Sequence, residues 1–369
     1  MYFNLKTTSK LIYGENCITN NAEAFYQFGK KCLIVTGKSS AEKCGALEDV
    51  KKALDFCGTK YNVFNEITEN PFVSTVIKGG EKAREFGADF VIGIGGGSPL
   101  DAAKAVAICA ANPVFFEEEL YTRKIPAKTL PVVLIGTTSG TGSEVTGVSV
   151  LTKDSDMTKK SISGADCYAA LSFLDPKYTY SLNYDITVST ALDAFAHAVE
   201  GWFSPNLNPL AEYYAKQALP VIYKGLKYLD TTKELPHKDL RDELYYASVF
   251  AGLELNICGA AFPHTVGYVL TEKFGIPHGK ACTAFMPYLI EKGKKYETER
   301  YLELLRLLGE NGSKVIDTIN SLTNIKGLSA TEEDIKSWCY RWNNVKNFNN
   351  TPGGFTNSEA EELLKNLCI

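Results

Sequence analysis

Hydrophobic and polar positions follow one pattern in the first half of the chain and another in the second. Up to about residue 183, short apolar runs that end at glycine or polar residues alternate with stretches of helical spacing. This alternation is typical of buried strands separated by helices, and it predicts a parallel, doubly wound sheet. The predicted strands are 31–37, 61–64, 89–94, 132–135, 148–151 and 170–174, and the predicted helices are 41–56, 73–86 and 99–109.

The pattern changes near 181–185, and the rest of the chain has helical spacing with almost no strand signal. The predicted helices there are 188–202, 210–228, 240–255, 281–292, 297–308 and 358–367. We therefore predict a multidomain α/β plus all-α protein, with a Rossmann-like parallel-sheet domain at 1–182 and an all-helical domain at 183–369. A length of 369 residues also favours two domains, because it exceeds one ordinary hydrophobic core.

Composition narrows the class of protein. The chain is 45% hydrophobic and 22% charged, which is ordinary for a soluble globular protein. The net charge of -4 and the absence of a basic block predict neither a nucleic acid nor a membrane surface as a partner. No apolar run reaches the ~18 residues of a spanning helix, and the first residues do not resemble a signal peptide. Ten scattered cysteines without a C-x-x-C pair indicate reduced thiols and a cytoplasmic location.

Candidate metal ligands lie in the second half. Asp193 and His197 are four residues apart in a predicted helix, so both side chains point from one face. Taken alone, this pair is more simply interpreted as a helix-surface contact. His264 and His278 strengthen the metal interpretation, since three of the four histidines then fall in these segments. One oxygen and three nitrogens suit a borderline divalent ion such as zinc or ferrous iron.

Two glycine- and hydroxyl-rich loops follow predicted strands of the first half. The run 93–101 closes the third strand and opens a helix, where glycines and free N–H groups can bind an anion. It has Ser98 where a dinucleotide fingerprint has its third glycine, so a tight strand-to-helix turn is the alternative. The loop 137–146 follows the strand 132–135 and is either a ligand loop or a plain Ser/Thr/Gly loop. Two such loops at strand ends favour a ligand.

Together these motifs resemble the iron-containing alcohol dehydrogenase family. The resemblance is carried, in order, by the stretches 95–104, 137–146 and 193–200 and by Pro277-His278-Gly279, and it extends over roughly residues 8–367. It implies an N-terminal nucleotide domain and a C-terminal helical metal domain, an architecture similar to that of dehydroquinate synthase. It also implies an enzyme with a nicotinamide cofactor, usually one ferrous ion, and a small alcohol or aldehyde as substrate.

The resemblance implies roles for individual residues. Asp193, His197, His264 and His278 fall on the four metal-ligand positions, and their atom types do not decide between iron and zinc. The residues that fall on cofactor-binding stretches are Gly96, Gly97, Ser98 and Asp101 in the glycine turn, Thr137, Thr138 and Thr141 in the loop on the nicotinamide side, and Lys159 or its neighbour Lys160.

Tyr268 departs from the family pattern. Many members carry a further histidine four residues after the third ligand, and Tyr268 stands at that position, one helical turn from His264. Its hydroxyl either replaces the histidine as a catalytic proton donor or only shapes the pocket, and the packing role is slightly favoured. Because of this departure, the resemblance does not carry over a substrate identity.

The first predicted strand indicates a preference for NADP(H) over NAD(H). NAD-preferring relatives typically have Asp directly after the Val-Thr of this strand, and here that position is Gly37. No carboxylate would therefore repel a 2′-phosphate, while Lys38 adds a positive charge and Ser39 and Ser40 begin a predicted helix, which favours an anion. Alternatively, Ser39 or Ser40 only caps that helix.

The predicted function is metal-dependent hydride transfer between NADP(H) and a small alcohol/aldehyde pair, with the metal polarising the substrate oxygen. One alternative is a phosphonoacetaldehyde-type reductase within the same family. Another is a dehydroquinate synthase-like metal-dependent lyase, against which the Asp-x-x-x-His pair argues. The resemblance further implies a homodimer, in which an N-terminal strand within residues 1–14 could link the two chains.

Overall fold

The structure is a computed structural model that describes residues 9–114, 116–122, 128–342 and 345–369. The chain divides into two compact units, and the boundary falls between Leu182 and Asn183. Among the described helices, none combines the length and the apolar character that crossing a lipid bilayer requires.

The first unit is built on a parallel sheet, as predicted, and six of its described strands form that sheet. The strands are β1 (Lys10–Tyr13), β2 (Lys31–Gly37), β3 (Lys60–Ile67), β4 (Phe90–Gly95), β5 (Val132–Gly136), β6 (Val148–Thr152), β7 (Lys159–Ser163) and β8 (Leu171–Leu174). The order in the sheet is β1-β8-β5-β4-β2-β3. The predicted strand at 148–151 forms, but as β6 it pairs with β7 in a separate antiparallel hairpin, and the sequence pattern missed β7.

Helices cover both faces of this sheet. They are α1 (Cys17–Asn20), α2 (Ser40–Lys43), α3 (Ala46–Phe56), α4 (Val73–Phe86), α5 (Gly97–Ala111) and α6 (Glu117–Thr122), with short 3-10 turns at Ala22–Gln27, Ser143–Val145, Ala165–Cys167 and Pro176–Thr179. Alternate residues of β2 enter different cores: Leu33 packs with α4 and α5, whereas Ile34 packs with α1 and α3. The predicted single helix 41–56 is wrong, because Gly45 has a left-handed φ of 84° that ends α2 before α3 begins.

The second unit is helical in its described residues, as predicted. Its helices are α7 (Tyr184–Trp202), α8 (Pro209–Thr232), α9 (Lys238–Cys258), α10 (Phe262–Phe274), α11 (His278–Thr283), α12 (Met286–Tyr296), α13 (Thr298–Leu308), α14 (Gly312–Thr323), α15 (Glu332–Cys339), α16 (Lys346–Asn349) and α17 (Asn357–Cys368). The predicted helix 281–292 is wrong as one element: Pro287 lies in the first turn of α12, where its missing N–H is tolerated, and α11 ends before it.

All ten cysteines are free thiols. Cys44 is partly exposed and the other nine are buried. The expectation of reduced thiols is consistent with this arrangement, since buried free cysteine packs as a small hydrophobic residue.

Candidate metal and cofactor sites

Helix α7 carries two of the predicted metal ligands in the helical unit. Its N-cap Asn183 accepts a hydrogen bond from the Ile186 N–H, which fixes the start of the helix. Asp193 and His197 follow on one face, and both are buried. A buried carboxylate beside a buried imidazole is costly unless both are paired or bind a metal.

Two glycines let α10 and α11 approach close enough to bring His264 and His278 to this face. A Cβ on Gly279 would lie 1.8 Å from the Ser189 carbonyl oxygen of α7. A Cβ on Gly267 would lie 2.9 Å from the Ala281 carbonyl oxygen, between α10 and α11. Only glycine fits either crossing, so these residues fix the geometry of the cluster.

Asp193 Oδ1 lies at ligand spacing from one nitrogen of each of the three imidazoles. Asp193 Oδ1 lies 3.8 Å from His197 Nε2, 3.6 Å from His264 Nε2 and 3.7 Å from His278 Nε2. Two ligands about 2.1 Å from a tetrahedral metal are separated by about 3.4 Å. Asp193 Oδ1 and His264 Nε2 are buried, and neither has a hydrogen-bond partner among the described residues. These residues therefore fit a divalent metal.

The electrostatics of the cluster favour positive charge. Burial raises the pKa of Asp193, but the three imidazoles outweigh burial and hold this pKa below its ordinary value. Burial lowers the pKa of His264, but the adjacent thiol and carboxylates outweigh it, and the net shift in this pKa is upward. The His278 side chain is 29% exposed, so solvent reaches the cluster from its side. An accessible position beside the ligands is typical of catalytic metal sites.

Cys282 and Tyr268 also lie at the cluster. Cys282, one turn after His278 and not identified from the sequence, places its Sγ 3.5 Å from His278 Nδ1. Among the described residues, Cys282 rather than His197 completes a group with Asp193, His264 and His278 in which one potential ligand atom from each lies within 4.8 Å of the others. Tyr268 lies one turn after His264, and its ring stacks on His278 with centroids 5.6 Å apart. This contact orients the His278 ring.

The predicted cofactor loops meet at one edge of the sheet in the first unit. β2, β4 and β5 are adjacent parallel strands, so their carboxyl ends lie side by side. The loops that begin after Gly37, Gly95 and Gly136 therefore share this edge. Open α/β sheets bind ligands at the carboxyl ends of their strands.

The glycine turn (residues 93–101) and the threonine loop (residues 137–146) are in direct contact. A Cβ on Gly96 would lie 3.1 Å from Thr138 Cγ2, and a Cβ on Gly97 would lie 2.7 Å from Thr141 Cγ2. Gly96 is the N-cap of the 15-residue helix α5, which has no side-chain cap. Backbone N–H groups at such a helix start are suited to a phosphate. Thr137, the remaining predicted threonine, is buried at the end of β5.

Two polar residues of the glycine turn have internal partners. The Asp101 carboxylate accepts hydrogen bonds from Ser143 Oγ at 2.6 Å and from the Val150 N–H at 2.9 Å. Ser98 Oγ accepts a hydrogen bond from the Asn70 N–H at 3.1 Å. Asp101 thus connects α5 to the loop 137–146 and to β6, which is a positioning contact.

Lys104, one turn after Asp101, is buried, and the sequence pattern gave it no role. Its Nζ donates hydrogen bonds to Ser143 Oγ and to the carbonyl oxygens of Thr146 and Val148. Burial lowers its pKa, and Asp101 opposes this effect. Burial also raises the pKa of the neighbouring Glu144 to about 7.

The remaining predicted residues differ in exposure. Lys38, Ser39 and Ser40 are exposed after β2. Ser39 is the N-cap of the four-residue helix α2, but its side chain makes no capping hydrogen bond. Lys159 begins β7 and is half-buried, whereas the exposed Lys160 lies over the Tyr121 ring at 4.7 Å.

Known proteins match the chain over nearly its whole length. The family model described as iron-containing alcohol dehydrogenase matches residues 8–176, and the C-terminal model of the Fe-containing alcohol dehydrogenase family matches residues 187–367. Long-chain-alcohol dehydrogenase 1 of Geobacillus thermodenitrificans is 31% identical over 84% of this chain and 78% of its own length.

Two solved structures are similar in fold. An iron-containing alcohol dehydrogenase from Thermotoga maritima is 34% identical, with a TM-score of 0.90 over 99% of both chains. Sulfoacetaldehyde reductase from Bifidobacterium kashiwanohense, solved in complex with NAD+, is 28% identical, with a TM-score of 0.86 over 100% of this chain and 99% of that chain.

Proposed function

The chain belongs to the iron-containing alcohol dehydrogenase family, and from this premise we propose that it transfers a hydride between NADP(H) and a small alcohol/aldehyde pair at a metal centre. The predicted family and fold class are confirmed, and the chain is an enzyme of the alcohol dehydrogenase type. The observation that carries the proposal is a buried carboxylate oxygen with three imidazole nitrogens at ligand spacing from it.

Asp193, His197, His264 and His278 would hold one divalent ion, iron or zinc. Such an ion supplies Lewis acidity to a substrate oxygen. The residues themselves hold four donor atoms in a preorganised, mostly buried arrangement. His278 is the ligand nearest to solvent, and the ring of Tyr268 fixes its orientation.

The glycine turn, the threonine loop and the end of β2 would hold the cofactor, whose nicotinamide supplies or accepts the hydride. The N–H groups at the start of α5 would bind the pyrophosphate. Preference for the 2′-phosphate is supported by Gly37 and Lys38 alone, since α2 is too short to attract an anion strongly. The sulfoacetaldehyde reductase relative was solved with NAD+. The proposed preference for NADP(H) is therefore argued from residues of this chain and not from that relative.

The activity test uses purified protein loaded anaerobically with ferrous iron, together with NADPH and a panel of aldehydes. The panel includes sulfonated and phosphonated acetaldehydes, because one relative is a sulfoacetaldehyde reductase. We expect oxidation of NADPH with at least one aldehyde, followed at the nicotinamide absorbance band, and its loss after chelation. An iron-loaded protein that oxidises NADPH with no member of the panel would contradict the proposal.

We also propose a cytoplasmic homodimer. β1 is an edge strand that pairs with β8 within the described residues, and Tyr13 on it is 72% exposed. A strand edge of this kind is suited to pairing with a second chain. Residues 1–8 of the predicted dimer strand lie outside the described residues. Light scattering that gives only a monomer mass near 40.5 kDa would contradict the dimer.

A further inference from the structure

Glu200 is a buried carboxylate on the metal-ligand face of α7. It follows Asp193 by seven residues and His197 by three, spacings that keep all three on one side of the helix. Its side chain is 0% exposed. A carboxylate at this depth needs strong partners, because burial without them is costly.

Both carboxylate oxygens of Glu200 face hydrogen-bond donors of the α10 segment. Oε1 lies 2.5 Å from His264 Nδ1, and Oε2 accepts a hydrogen bond from the Ala261 N–H at 2.5 Å. Ala261 is the N-cap of α10, and its own side chain cannot cap the helix. Glu200 therefore fixes the backbone at the start of α10 and the imidazole three residues later.

We propose that Glu200 is a positioning residue that holds His264 in the tautomer with the proton on Nδ1. In this tautomer the Nε2 lone pair points toward Asp193 Oδ1, 3.6 Å away, and is free to bind an ion. The inference rests on the proposed metal site. A carboxylate that accepts from the second nitrogen of a histidine ligand fixes the orientation of the ring and raises its basicity.

Glutamine cannot replace Glu200 in this role. His264 Nδ1–H and the Ala261 N–H are both donors, and a carboxylate accepts from both, whereas an amide offers one acceptor and one donor group. If the amide NH2 faces His264, the imidazole must accept at Nδ1, and its proton moves to Nε2, which blocks that ligand atom. If the NH2 faces Ala261, two donors oppose each other at the start of α10.

The chain offers a matched control in Glu254. This carboxyl on α9 is also buried and packs against Gly201, and within the part of the chain that the structure describes neither of its oxygens has a hydrogen-bond partner. Burial raises its pKa well above the ordinary value. Glu254→Gln therefore makes the same substitution at a buried position beside the same helix, where the carboxyl makes no hydrogen bond to His264.

The experiment compares zinc-loaded wild type, Glu200→Gln and Glu254→Gln at full length. Histidine labelled with 15N gives only four imidazoles to resolve, and His264→Gln assigns the one of interest. A zinc dissociation constant comes from competition with a chromophoric chelator. Urea unfolding of the metal-free proteins measures the structural effect of each substitution separately.

In wild type and Glu254→Gln we expect a strongly deshielded Nδ1–H signal from His264. Glu200→Gln should lose this signal and bind zinc about 10- to 100-fold more weakly. Glu200→Asp, which keeps both acceptors, should retain the signal and serves if the glutamine variant fails to fold. Wild-type zinc affinity in Glu200→Gln, or a retained Nδ1–H signal, overturns the role of Glu200. A wild-type protein that binds no metal overturns the proposed function, and this inference with it.

Discussion

The candidate metal site is formed by side chains, whereas the candidate cofactor site is formed mainly by backbone. In the helical unit, side chains from α7, α10 and α11 supply the donor atoms, and glycines let the helices cross closely. In the sheet unit, backbone groups at the ends of three strands supply the surface, and threonine methyl groups pack against the glycines. The metal cluster therefore depends on the identity of its side chains. The cofactor edge, which is the sheet edge formed by the loops after Gly95 and Gly136, depends on the absence of side chains at its glycines.

The difference predicts how each site fails. Loss of one donor in the metal cluster weakens binding of the ion, and without the ion its charged neighbours are buried without a counter-ion. The effect on metal binding should therefore be large and local. An added methyl group at the cofactor edge meets a side chain that can shift, so the effect should be smaller and reversible by a second change.

The largest effect is expected from His264→Ala. This variant removes one of four donors, which should cost more than the 10- to 100-fold in metal affinity that loss of an outer partner costs. Metal content after dialysis and NADPH-dependent aldehyde reduction should fall together to background. Full metal content with normal turnover would remove His264 from the proposed ligand set.

Gly279→Ala should be the most damaging glycine change. The new Cβ would lie 1.8 Å from the Ser189 carbonyl oxygen, and backbone on both sides cannot move aside as a side chain can. We expect a loss of about 3 kcal/mol or more in the free energy of unfolding, measured with urea. Gly37→Ala is the control, because its nearest atoms lie 3.5 Å from the added Cβ. Equal stability of the two variants would contradict this account.

Gly97→Ala tests the cofactor edge. The added methyl would meet Thr141 Cγ2 at 2.7 Å and displace the loop, which should weaken kcat/KM for the cofactor by up to about 10²-fold. Thr141→Ser removes the clashing methyl. The loss caused by Gly97→Ala should therefore be smaller in the Thr141→Ser background than in wild type. Equal losses in both backgrounds would show that the clash is not the cause.

The smallest effect is a shift in cofactor choice. A carboxylate in Gly37→Asp would repel a 2′-phosphate and accept from a 2′-hydroxyl, and the added Cβ would meet its nearest atoms at 3.5 Å, an ordinary contact distance. The ratio of kcat/KM for NADPH to that for NADH should fall by about 10-fold or more, as for one charged hydrogen bond. Gly37→Asn keeps the shape without the charge and should shift the ratio less. A wild-type enzyme that already prefers NADH would refute the proposed preference.

How much the sequence predicts depends on what determines each feature. The sequence predicts the helix Val73–Phe86 at its observed bounds because a continuous apolar face and Gly87 after its end mark it clearly. Periodicity does not predict α10, although the placing of Tyr268 one helical turn after His264 assumes a helix there. Pro263 and Gly267 are usually helix breakers, but the first lies at the helix start and the second at a crossing. The spacing of Asp193 and His197 predicted one shared face because a helix fixes it.

Tertiary contacts explain what the sequence pattern missed. Glu200 was visible at the i+7 position of α7, but its contact with His264 depends on where α10 begins. Asp101 was predicted to bind cofactor from its place in the glycine turn, and its hydrogen bonds to Ser143 and Val150 link segments about 40 to 50 positions apart. Periodicity carries no information about such partners.

The native cysteines can report local opening of each unit, because nearly all of them are buried in the folded protein. Six of the ten precede the boundary at Leu182 and four follow it, and only Cys44 is partly exposed. A thiol reagent applied to the folded protein therefore reacts first at Cys44. Modification of any other cysteine records a transient opening of the unit that contains it. Mass spectrometry of the modified peptides would thus give separate opening free energies for the sheet unit and the helical unit, without an introduced probe.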